Sequence, residues 1–65
     1  MNITLNGETR EVAGPTLADL LEQTGQSGAK VATAVNEVFV PARQRAETQL
    51  SPGDRVEVVA PRQGG

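Results

Sequence analysis

Not one cysteine or histidine occurs in the 65 residues of this chain. That absence constrains the fold more than any residue present. A domain of this size buries only about 60% of the surface its unfolded chain exposes, and small domains often rely on disulfides or a structural metal. Here disulfides are ruled out and the usual zinc ligands are missing. The chain must close over a compact apolar core, and the candidates are almost all aliphatic: Ile3, Leu5, Val12, Leu17, Leu20, Leu21, Val31, Val35, Val40, Leu50, Val56 and Val58. Phe39 is the sole aromatic residue. A deep aromatic-lined cofactor pocket is therefore not expected, and no cofactor is assigned.

The charge pattern excludes further classes. Net charge is −2, and Arg10, Lys30, Arg43, Arg45, Arg55 and Arg62 are scattered rather than clustered. With no aromatic stacking platform beside them, they make no nucleic-acid surface. The apolar runs are too short to cross a bilayer, and Met1-Asn2-Ile3-Thr4 does not open as a leader peptide. The expected setting is the cytoplasm, with neither membrane nor nucleic acid as partner.

Local patterns predict the order β-β-α-β-β-β. Ile3 and Leu5 alternate with polar residues, as in a half-buried strand. Asn6-Gly7 is a strong hairpin signal, because a type I′ turn needs positive φ at both central positions. The return strand, Glu8 to Val12, is broken by Gly14-Pro15. Thr16 and Asp19 stand at capping-box spacing, and Leu17, Leu20 and Leu21 form one helical stripe. Gly25 suits the left-handed position that ends the helix. After a loop from Gln26 to Lys30, Val31 to Val35 alternates larger and smaller side chains. Asn36-Glu37 turns into Val38-Phe39-Val40, which Pro41 ends. Arg43 to Thr48 is polar, with room for one helical turn. Ser51-Pro52-Gly53-Asp54 is a tight turn, and Arg55 to Ala60 the last strand, with Val56 and Val58 inward and Glu57 and Val59 outward. The whole is an α+β layer of one main helix packed on one face of a mixed sheet of four to five strands. Residues 1–60 form the domain, and 61–65 a flexible tail that follows Pro61 and ends in Gly64-Gly65.

The tail is the candidate working part. With no Cys, His, Tyr or Trp anywhere, covalent chemistry falls to the carboxylate of Gly65, which is ionised at neutral pH. Glycine leaves its carbonyl open to close approach. Arg62, Gln63, Gly64 and Gly65, fully extended, reach roughly 13–14 Å at about 3.3–3.6 Å per residue. That is long enough to thread a partner's channel while the domain stays outside. Outward Val59, with Ala32, Ala34 and Phe39, is a candidate docking surface on the sheet.

Several pieces occur together at characteristic spacings: the Asn6-Gly7 hairpin, Thr16-Leu17 with Leu20-Leu21, Val31-Ala32-Thr33-Ala34-Val35-Asn36, Val40-Pro41, Leu50, Gly53-Asp54-Arg55-Val56-Glu57 and Gln63-Gly64-Gly65. In this combination the chain resembles the β-grasp fold of ubiquitin-like proteins, and among them the ThiS-type sulfur carriers of thiamin biosynthesis. It departs from that pattern at Glu37, where the family often has Gly. It departs again at Ala42 and Arg45, where an Arg and a Trp are common. The resemblance implies a protein that is not itself an enzyme. Its Gly65 carboxylate would be adenylated by an E1-like adenylyltransferase (ThiF-like) using ATP. A sulfur donor protein would then convert it to a thiocarboxylate, and a thiazole synthase (ThiG-like) would consume the sulfur. The same chemistry would serve a carrier like the small subunit of molybdopterin synthase, and a ubiquitin-like protein modifier would use the same terminus.

Overall fold

Residues 1–26 and 30–60 are described by the computed structural model. The tail, with Arg62, Gln63, Gly64 and Gly65, and the middle of the loop before Lys30 lie outside the described residues. The elements are β1 (Asn2–Leu5), β2 (Glu8–Glu11), α1 (Leu17–Gln23), β3 (Ala32–Val35), β4 (Val38–Val40), a 3₁₀ helix (Ala42–Glu47) and β5 (Arg55–Val59). No helix among the described residues is long and apolar enough to cross a membrane.

The five strands form one sheet in the order β2-β1-β5-β3-β4. The last strand is thus the middle one. It runs parallel to β1 and antiparallel to β3, and the two outer pairs are antiparallel hairpins. Both hairpins turn through positive φ: 51° and 85° at Asn6-Gly7, 50° and 71° at Asn36-Glu37. These angles make type I′ turns, whose twist matches that of the strands they join. Glu37 holds this shape without glycine's freedom, at a cost of about 1–2 kcal/mol.

α1 is only seven residues long, too short to persist without tertiary packing. Its start is set by the capping box: Thr16 Oγ1 accepts from the Asp19 N–H (3.2 Å), and Asp19 Oδ2 accepts from the Thr16 N–H (3.1 Å). Gly14 passes so close to this box that a Cβ there would lie 2.5 Å from the Asp19 Cβ. Leu17, Leu20 and Leu21 are buried from α1 against Ile3, Leu5, Val12, Val40, Leu50, Val56 and Val58. Burying one such side chain contributes about 1.5–3 kcal/mol, so the leucine stripe holds the helix in place.

Two expected core residues sit further out. Val31 and Val35 are partly buried and pack against the core from its rim. Between them Thr33 is 1% exposed, the one buried polar residue among the described residues. Its hydroxyl donates to the Val40 carbonyl (2.7 Å) and accepts from Arg45 Nε (3.1 Å), while Arg45 Nη2 donates to the Val31 carbonyl (2.7 Å). The segment around residues 42–47 is therefore a 3₁₀ helix whose arginine clasps β3 from the helix side.

β5 is gripped at both ends by asparagine side chains. Near its start, Asn36 Oδ1 accepts from the Arg55 N–H (2.9 Å) and Asn36 Nδ2 donates to Asp54 Oδ1 (3.0 Å). Near its end, Asn6 Oδ1 accepts from the Val58 N–H (2.9 Å) and Asn6 Nδ2 donates to the Val58 carbonyl (3.0 Å).

Candidate functional site

Alternation along a strand sends successive side chains to opposite faces. On β5, Val56 and Val58 point to α1, while Arg55, Glu57 and Val59 point away. On β3, Thr33 is buried, so Ala32 and Ala34 share the outer face. The register then aligns the rows: Ala32 lies opposite Val59, and Ala34 opposite Glu57 on one side and Phe39 on the other.

Val59, Ala32, Ala34 and Phe39 consequently form one continuous strip across β5, β3 and β4. Its ends stand proud, with Val59 60% and Phe39 64% exposed. The two alanines between them leave a shallow trough. Polar groups border it: Glu57 beside Ala34, and an exposed Arg55–Glu37 ion pair of 3.5 Å. Such a surface pair is worth little to stability, but it rims the apolar strip with charge. Val38, 66% exposed at the start of β4, lies on the opposite face from Phe39 and is not part of this strip.

One end of the strip lies close in sequence to the C-terminus. Val59 is the last residue of β5, so the outer-face strip begins where the chain departs for residues 61–65. Arg45, although on the other face, belongs to this arrangement because its bonds to Thr33 and Val31 brace β3 from behind. The sequence alone gives Arg45 no role and marks Asn6 and Asn36 only as turn residues. The one signal for the asparagines was that each sits first in a two-residue turn, with an amide free to reach a neighbouring strand.

A mixed sheet whose first and last strands lie side by side in parallel, curled over one helix, is the β-grasp architecture of ubiquitin-like proteins. Comparison narrows the class. The ThiS family model matches residues 3–65. The sulfur carrier protein ThiS of Thermus thermophilus is 41% identical over 63 residues, covering 97% of this chain and 98% of the relative. The crystal structure of the thiamine biosynthesis protein ThiS from Geobacter metallireducens superposes with a TM-score of 0.84 at 28% identity, with both chains fully covered. The solution structure of a thiamine biosynthesis protein from the same organism gives 0.77, again at 28% identity, covering all of this chain and 88% of that one. The chain belongs to the ThiS family.

Proposed function

We propose that this chain is a cytoplasmic sulfur carrier of thiamin thiazole formation, loaded at the Gly65 carboxylate. The observation that carries this reading is the reach of the family match, which runs through Gln63-Gly64-Gly65 to the last residue. In the first step a carboxylate oxygen attacks the α-phosphorus of ATP, held by an E1-like adenylyltransferase, and pyrophosphate leaves. The acyl-adenylate is an electrophile, as the free carboxylate is not. Hydrosulfide released by a sulfur donor protein then adds to the carbonyl, AMP leaves with the carboxyl oxygen it had captured, a proton is lost, and a thiocarboxylate remains on Gly65. Thiazole synthase takes up that sulfur. The chain is the substrate of these enzymes and contributes a handle, a tail and one reactive carbonyl.

The handle is the outer-face strip, which serves as the docking surface for the adenylyltransferase. Its alanines let a partner approach the sheet closely, and its Val59 end sets the docked enzyme beside the tail. An exposed aromatic flanked by small residues has the form of an interface anchor. Phe39→Asp removes no core packing, so it is expected to leave the thermal midpoint unchanged while raising KM for adenylation roughly tenfold. An unaltered KM would take Phe39 out of the interface.

The reading as a whole is tested by intact-mass analysis after incubation with an active E1-like partner, ATP and a sulfur donor. Exchange of one oxygen for one sulfur, localised to the C-terminal peptide, is expected. A chain left unchanged by a partner proven active on another carrier would refute it.

A further inference from the structure

The turn joining β1 to β2 does more than reverse the chain. β1 and β5 are parallel, and their ladder is built from backbone groups on alternate residues, such as the Thr4 N–H to the Asp54 carbonyl and the Asn6 N–H to the Val56 carbonyl, both 2.9 Å. One step further on, the chain has turned away through Asn6 and Gly7. The Asn6 carboxamide stands in for the missing peptide unit, accepting from the Val58 N–H and donating to the Val58 carbonyl. A carboxamide carries the same donor and acceptor pair as a peptide group. Asparagine is also the side chain that best accepts the positive φ required there. One residue meets both demands.

On its other flank β5 is paired with β3 through Val59 opposite Ala32. Two-sided restraint of the strand's last residues thus depends on Asn6. Without the carboxamide they would hang from β3 alone and pivot about a single ladder. We infer that Asn6 is a positioning residue for sulfur loading: its side chain holds the end of β5, the strand that leads to residues 61–65. This inference rests on the carrier reading above.

Asn36 provides an internal control. It occupies a turn of the same kind, with φ of 50°, and also grips β5 by its side chain, but at the end of the strand remote from the tail. Glycine at either position keeps the backbone shape and deletes the carboxamide. Both Asn6→Gly and Asn36→Gly are expected to lower the thermal midpoint by about 4–8 °C, as loss of side-chain hydrogen bonding does in a domain of this size.

Only Asn6→Gly is expected to lower kcat for adenylation, by roughly tenfold or more. KM is expected to hold, because the docking strip is untouched. A shrinking folded fraction would do the opposite, raising the apparent KM and sparing kcat at saturation. Without any partner, amide exchange at Val58 is expected to accelerate more in Asn6→Gly than in Asn36→Gly, beyond what their shared loss of global stability produces. If Asn6→Gly is too unstable to assay, Asn6→Asp, which keeps the acceptor and loses the donor, carries the same kcat test. Wild-type kcat in the Asn6 variant, or an equal loss in both variants, overturns the role while leaving the carrier reading intact. Wild-type protein that is never adenylated overturns both.

Discussion

Deleting Gly64 and Gly65 is expected to abolish sulfur loading entirely while leaving the domain as stable as before. The two halves of this result have separate causes. Loading requires a carboxyl group that reaches the partner's nucleotide and a carbonyl with no Cβ beside it. The truncated chain would present the carboxyl of Gln63, drawn back by about 7 Å at roughly 3.3–3.6 Å per residue, next to a branching side chain. Misplacement by even about 1 Å can cost on the order of a hundredfold in rate, so no thiocarboxylate should be detectable by intact mass. Stability is unaffected because the buried core is drawn from Ile3 to Val58, upstream of the deletion. A truncated chain that still takes up sulfur would move the chemistry off the terminus and end the carrier reading.

Leu20→Ala is expected to do the reverse, leaving the tail intact but removing the domain that presents it. Leu20 is 0% exposed at the centre of α1 and packs into the single core. Truncating a leucine in such a place costs about 2–5 kcal/mol, depending on how far the cavity collapses. A chain of this length has only about 3–10 kcal/mol in total, at roughly 0.05–0.15 kcal/mol per residue. With no disulfide or zinc site to fall back on, the variant should be partly or wholly unfolded at room temperature. Urea titration followed by far-UV circular dichroism reads the shift in midpoint. A loss below about 1 kcal/mol would mean that α1 is not packed as described.

The elements that were legible in the sequence are those written in neighbouring residues. Thr16 with Asp19, Asn6 with Gly7, and Ser51-Pro52-Gly53-Asp54 each carry their geometry within four positions, and each forms as expected. The leucine stripe needs only helical periodicity. What could not be read depends on residues brought together from afar. Whether Ala32 meets Val59 is a matter of register, and a slip of one residue would exchange the faces. Arg45 reaches Thr33 and Val31 across the inner side of β3, from a segment whose composition allows a helical turn but names no partner for its arginine. Asn6 meets Val58 at a sequence separation of 52, so its turn chemistry was visible while its hold on β5 was not. Val31 and Val35 have the alternation of core residues, yet they are only partly buried and lie at the core's margin. The chemistry proposed for the tail rests on its residue types and on a family match that runs to residue 65.

β5 lies between β1 and β3, and that position has a mechanical consequence. A pull applied to the chain beyond Val59 would run along the central strand. The load falls in shear on hydrogen bonds along both flanks together, instead of peeling an edge strand bond by bond. Force on that end would thereby be shared across the sheet instead of starting to unravel it from an edge.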